Sequence, residues 1–200
     1  QYEGLVCNAY EAIWGHGGSS MSDGRLALDT DATRRALGFL RGTIERGLSP
    51  RTVLSSQEEE SRRAFQGGRA VFMRNWPYAW GELERSALRG RVAVSPLPTA
   101  SGAPGAGAIG GWQLAVNARS PAERRQAAHR LIAHLTSLEA NVEMAVHYAR
   151  NPPRRAAYEH PRLASAAPFI ASLLPILEHA RPRRVTPYDG MLTDIPQSEM

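Results

Sequence analysis

The 200-residue chain is 42% hydrophobic, long enough for one large domain or two small lobes around a real core, and too apolar for bulk disorder. Its formal net charge is +5, and all 24 basic residues are arginine. They are spread along the chain and mixed with acids, as where Glu58-Glu59-Glu60 precedes Arg62 and Arg63; this is dispersed surface charge and not a phosphate-binding patch, which argues against a nucleic-acid partner.

The single cysteine, Cys7, excludes a disulfide framework within the chain and reads as a small buried hydrophobe. The most apolar stretch, 166–177, is too short to span a bilayer and contains Pro168 and Pro175. No signal-peptide pattern is present, and the chain opens at Gln1 with what reads as the middle of an element, so it is taken as a fragment or a processed piece.

In chain order, Leu5, Val6, Ala9, Ile13 and Trp14 predict a helix over 2–14. A Gly/Ser-rich loop covers 15–24, and a short strand is expected at 25–29. Thr30 caps the next helix, with Asp31 near its positive end and Ala36, Leu37, Leu40 and Ile44 on its apolar face. Ser56-Gln57-Glu58-Glu59 has the form of a capping box for a short helix that stops at Gly67-Gly68. A strand is predicted at 70–75, a helix from Pro77 to about Leu88, and a buried strand at 91–97.

After a Gly/Ala/Pro/Ser loop at 99–110, Trp112, Leu114 and Val116 alternate with polar or small residues, as in a strand. Ser120-Pro121-Ala122-Glu123 is a second box pattern, opening a helix whose buried face is Ala128, Leu131, Ile132 and Leu135. Leu138, Val142, Ala145 and Ala149 mark the next helix, ended by Asn151-Pro152-Pro153. A last helical stretch is expected over 165–180, broken at Pro175, before a Pro-rich tail. Strands and helices alternate, which defines the class as α/β.

Signs of catalysis are absent from this pattern. Gly105-Ala-Gly107-Ala-Ile-Gly110 matches a dinucleotide-binding spacing, but a loop precedes it and a strand follows, so no helix N-terminus meets a pyrophosphate. The six histidines, at 16, 129, 134, 147, 160 and 179, show no metal-ligand spacing, and no nucleophile elbow or marked carboxylate pair occurs. No cofactor, metal or catalytic residue is assigned.

Aromatic residues cluster instead. Trp76, Tyr78 and Trp80 surround Pro77 at the end of one predicted strand, and Trp112 follows Gly110-Gly111 at the start of another. Strand ends are where α/β proteins build ligand crevices. A Trp face covers the C–H face of a pyranose, an adjacent Gly lets sugar reach backbone donors, and a guanidinium donates paired hydrogen bonds to hydroxyls. On composition alone the same residues also fit an ordinary core.

Several segments resemble family 1 extracellular solute-binding proteins of ABC transporters, above all the trehalose/maltose-binding branch. They are Gln1-Tyr2-Glu3-Gly4-Leu5-Val6-Cys7 with Trp14 and Gly17-Gly18; Phe65-x-x-Gly68-x-Ala70-x-x-Met73-x-Asn75-Trp76-Pro77; Gly110-Gly111-Trp112-x-Leu114-Ala115-Val116 with Ser120 and Ala127-Ala128; Pro152-x-Arg154; and Arg181-Pro182-Arg183-x-Val185-x-Pro187-Tyr188. The resemblance implies a two-lobed fold of the class II periplasmic-binding-protein type that closes on sugar by hinge motion.

By the same resemblance, residues 1–112 belong to the second lobe, 113–180 return to the first, and 181–200 cross back. The beginning of the first lobe and the extreme C-terminus lie outside the chain, leaving the cleft incomplete. Trp76 and Trp112 correspond to sugar-stacking residues and Gly111 to the close backbone contact. Arg183 corresponds to the cleft arginine, with Arg181 and Arg184 nearby and Arg184 in the place of a family proline. Glu3 and Tyr2 line the cleft, whereas Tyr78 and Trp80 are packing residues. The implied role is non-catalytic: a monomer at the periplasmic or extracellular face, delivering a disaccharide such as trehalose or maltose to permease subunits. Its membrane contact is through the transporter or a lipid anchor outside the chain. A carbohydrate-active enzyme with an unrecognised carboxylate pair and an Arg-rich nucleic-acid binder are the alternatives.

Overall fold

The computed structural model describes residues 3–22, 25–183, 190 and 193–194, and Cα proximity divides the chain into two units. Unit 1 comprises 1–73, 93–110 and 176–200; unit 2 comprises 74–92 and 111–175. The resemblance sets its divisions at 112/113 and 180/181; the units divide at 110/111 and 175/176, and 74–92 groups with 111–175.

Unit 1 is built on α1 (Glu3–Gly15) packed against α2 (Asp31–Glu45). Val6, Cys7, Ala9, Tyr10 and Ile13 of α1 and Ala36 of α2 are buried. Burial of such apolar side chains stabilises by roughly 1.5–3 kcal/mol for each of the larger ones. The expected cap holds: Thr30 Oγ1 accepts from Thr33 N–H at 3.1 Å. Between the helices, β1 (Met21–Ser22) pairs antiparallel with β2 (Arg25–Leu26), shorter than the strand expected over 25–29. Gly18 sits where a Cβ would lie 2.8 Å from Ile13 Cγ2 and 3.0 Å from Ala32 Cβ, so the chain can turn there only without a side chain.

A 3-10 turn (Arg51–Leu54) leads to α3 (Glu58–Gln66). Here the box begins one residue later than the sequence suggests: Gln57 N–H donates to Glu60 at 3.1 Å, while the Ser56 hydroxyl donates back to the Thr52 carbonyl at 2.8 Å. The preceding turn wins the serine, so the glutamine takes the cap. β3 (Ala108–Ile109) runs parallel to β4 (Arg181–Pro182), and Glu11 of α1 accepts the Ala108 N–H at 2.9 Å. Gly105 N–H donates to the Leu97 carbonyl at 2.7 Å, and a Cβ on Gly105 would meet that oxygen at 2.6 Å.

Unit 2 is helical: α4 (Tyr78–Glu84), α5 (Ala122–Leu135), α6 (Leu138–Tyr148), α7 (Arg155–Tyr158), α8 (Pro161–Ala166) and α9 (Pro168–Ser172). Ala79, Leu83, Val142, Ala145, Ala157, Tyr158, Leu163, Ile170 and Leu173 are its buried apolar residues. Trp80 stacks on Phe169, ring centres 3.9 Å apart and planes at 13°. Gly81 lets α4 approach the end of α6, where an added Cβ would lie 2.9 Å from Ala149 Cβ. Arg162 of α8 forks onto Glu143 of α6, which also meets His147 at 3.2 Å.

Several expectations are corrected here. Ser120 does not cap α5; its carbonyl instead accepts from Arg125 at 2.7 Å, and Pro121 stands at the cap position. α4 stops at Glu84, short of Leu88. The final helical stretch breaks at Ala167 and Leu173, and Pro175 lies within the first turn of α10 (Leu174–Glu178), where its missing N–H costs nothing. The segments expected as strands at 70–75, 91–97 and 112–116 carry no ladder among the described residues beyond one bridge, Leu97 to Gly105. The predicted buried face of α5 is only partly covered: Ala128 and Ile132 are half-buried, whereas Leu131 and Leu135 are exposed.

Candidate sugar-binding residues

The residues singled out by the sequence fall in two groups, one in each unit. In unit 1, Glu3 opens α1, where its negative charge suits the positive helix end. Arg183 directly follows β4, and the parallel pairing with β3 fixes where the chain leaves the ladder. Arg183 Nη2 and Glu3 Oε1 are 2.5 Å apart. The guanidinium side chain is 19% exposed and the carboxylate 62%, so the pair is lodged on its arginine side and open on its acid side. The carboxylate keeps an oxygen available to a hydroxyl donor, and the arginine holds that carboxylate in place. Tyr2 and Arg184 lie outside the described residues.

In unit 2, Trp76 is half-buried, and its backbone N–H donates to Asn75 Oδ1 at 2.8 Å. The Arg74 guanidinium lies 4.2 Å from the Trp76 ring centre, and that of Arg150 lies 5.9 Å from the Tyr78 ring centre. Both distances are within reach of cation–π attraction. Thus Tyr78 carries an arginine, while Trp80 packs on Phe169. Arg74 and Arg150 were not picked out from the sequence. The signal for Arg74 was available: residues two apart on an extended segment share a face, which puts Arg74 beside Trp76. No comparable signal links Arg150 to Tyr78 across 72 positions of chain.

Trp112 is fully exposed. Gly111 precedes it with open space where a Cβ would stand. Among the described residues nothing in the packing therefore demands a glycine there, and the backbone of 111–112 is open to an approaching group. The same unit holds one strongly perturbed group: the Tyr158 phenol, buried beside Asn151, has its pKa pushed up to about 12, with burial as the main cause and the Asn151 amide opposing it. Among the described residues no three His, Cys, Asp or Glu side chains gather as a metal site, and no helix is long and apolar enough to cross a membrane.

The arrangement has the fold of MalE-type maltose-binding proteins. It superposes on maltose-bound MalE3 of T. maritima with a TM-score of 0.91 at 38% identity, over 98% of this chain and 51% of that one. The maltose/maltodextrin-binding domain of MalE from Bdellovibrio bacteriovorus, bound to maltotriose, shares the fold at a TM-score of 0.75 and 20% identity, over 96% of this chain and 50% of that one. Residues 3–170 match the family of bacterial extracellular solute-binding proteins, and the chain belongs to that family. A probable ABC transporter-binding protein of Deinococcus radiodurans is 37% identical over 191 residues, 92% of this chain and 45% of that protein. The chain thus spans about half the length of the relatives it matches.

Proposed function

We propose that this chain is part of the substrate-binding component of an ABC sugar importer, and that its ligand is a disaccharide such as trehalose or maltose. Trp112 carries the reading. A large aromatic side chain held fully in water beside an open glycine backbone has no packing role among the described residues, and a pyranose ring would use both. Trp76 supplies a second aromatic face, and Glu3 with Arg183 supplies a fixed acceptor for sugar hydroxyls. The 38% identity to a maltose-bound protein supports the sugar class.

In this reading the protein binds and releases its ligand unchanged, works as a monomer at the periplasmic or extracellular face, and hands sugar to permease subunits. Residues 1–112 belong to the second lobe, 113–180 to the first and 181–200 to the second again.

Calorimetric titration with trehalose, maltose and sucrose tests it. Saturable binding of one sugar, recovered unchanged and lost in Trp112→Ala, is the expected result. Absence of heat with all three in the folded protein would reject these sugars as ligands. Turnover of any of them would favour the enzyme reading.

A further inference from the structure

The main chain at Trp76 is fixed from both sides. Its N–H donates to Asn75 Oδ1 at 2.8 Å, and Pro77 follows with φ −57°. A residue before proline is confined to extended backbone, so little main-chain freedom is left there. What remains is rotation of the indole about its two side-chain bonds. The Arg74 guanidinium lies 4.2 Å from the centre of that ring. Arg74 is half-buried, so its charge is partly withdrawn from water, and a cation over an aromatic face is held more firmly there than at an exposed site. The Arg150 contact with Tyr78 is the weaker case, since Arg150 is exposed and its 5.9 Å separation is at the outer limit of such attraction. Trp112, in contrast, stands fully in water. Of the two tryptophans read as sugar-stacking, one has its ring orientation set within the protein and the other does not.

We propose that Arg74 is a positioning residue for the sugar site. Its guanidinium covers one face of Trp76 and fixes the indole, so that the opposite face is presented to a pyranose before the sugar arrives. The inference rests on the reading of Trp76 as a stacking residue. Arg74 itself touches no sugar in this arrangement, because a ligand on the far face is separated from the cation by the thickness of the ring. Its contribution comes through the indole: a side chain already immobilised in its binding orientation loses no further freedom when the ligand docks. With one face occupied, Trp76 also accepts a single pyranose, not one on each side.

The test compares Arg74→Lys, which keeps a cation, with Arg74→Met, which keeps an unbranched chain and removes the charge. Both, with the unaltered chain, are titrated calorimetrically with trehalose, maltose and sucrose. The sugar that the unaltered chain binds should bind Arg74→Met about 5-fold more weakly and Arg74→Lys within about 2-fold, in keeping with the strength of a partly buried cation–π contact. Arg150→Gln removes a charge from the longer, exposed contact and should also stay within about 2-fold. Without sugar, nitrogen relaxation of the Trp76 indole N–H, assigned by its loss in Trp76→Phe, should report a ring as ordered as the backbone in the unaltered chain and in Arg74→Lys, and a more mobile ring in Arg74→Met. Equal affinity of the Lys and Met variants, or equal ring order in all three proteins, would overturn the proposal and leave the sugar-binding reading intact. Tighter binding by Arg74→Met would overturn it as well, because cation and sugar would then compete for one face. So would loss of the thermal melt in Arg74→Met, which would make Arg74 a residue of the fold. Silence of the unaltered chain toward all three sugars, with the ring orders as stated, would count against the stacking role of Trp76 itself, and the positioning role would fall with it.

Discussion

Helices α1 and α5 are read from the same kind of pattern and end in opposite surroundings. α1 buries six residues, including Val6, Cys7, Tyr10 and Ile13, against a neighbour in its own unit. α5 is one residue longer and buries none. The periodicity of a stripe says that a helix has a face to hide; it does not say that the covering partner is within the same stretch of chain. α1 finds its partner in α2, which begins sixteen residues after α1 ends. α5 packs against α6, with Ala128 and Ile132 half-buried and Leu131 and Leu135 exposed.

The contrast can be broken most forcefully in α1. Val6 is fully buried, and Val6→Asp places an unpaired charge there; a loss of more than about 3 kcal/mol is expected, seen as collapse of the thermal melt. In unit 2, Leu163 is likewise fully buried, and Leu163→Ala should cost about 2–5 kcal/mol in urea unfolding. Gly18→Ala forces a methyl against Ile13 and Ala32 and should cost about 1–3 kcal/mol, whereas Gly111→Ala meets nothing and should leave the melt unchanged while lowering sugar affinity. Thr30→Ala removes a cap that is made and should cost about 1 kcal/mol; Ser120→Ala removes one that is not and should be near neutral. Smallest of all, Leu131→Ala in this chain alone should change stability by less than about 0.5 kcal/mol, the value for an ordinary surface position.

A pH titration probes unit 2 by another route. The Tyr158 phenol has its folded pKa raised to about 12 from an ordinary 10. Stability is therefore independent of this group below pH 10 and falls as pH rises through the window from 10 to about 12, where the unfolded chain ionises first. Tyr158→Phe should flatten that fall, measured as urea midpoints from pH 9 upward.

The elements that were legible in the sequence are those whose signal is local. Thr30 caps α2 because the hydroxyl, the donor and the helix start lie within four residues. Cys7 is buried as a lone hydrophobe inside an apolar stripe. The two box patterns were less secure because a serine has competing partners: Ser56 bonds back to Thr52, and the carbonyl of Ser120 is taken by Arg125. The strand patterns at 91–97 and 112–116 were visible, but a strand is a paired object, and alternation along one segment carries no information about where its partner is. For the candidate site, the resemblance alone singles out Trp76, Gly111, Trp112, Arg183, Glu3 and Tyr2 as candidates, of which Tyr2 lies outside the described residues. The ion pair joining Glu3 to Arg183 spans 180 positions and is visible only in the folded chain, as is the arginine over Tyr78.

The pairing of β3 with β4 also sets an order of events during synthesis. The chain emerges from the ribosome with α1 and α2 complete and able to pack, yet the parallel partner of Ala108 and Ile109 is made only after residues 111–175, the larger part of unit 2, have followed. Unit 1 must therefore wait, with one edge open and its ion-pairing arginine still unmade, while helices α5 to α9 are translated. A nascent chain paused anywhere between residues 111 and 180 exposes that edge to its neighbours, and it is in this interval that a holding chaperone would bind most readily.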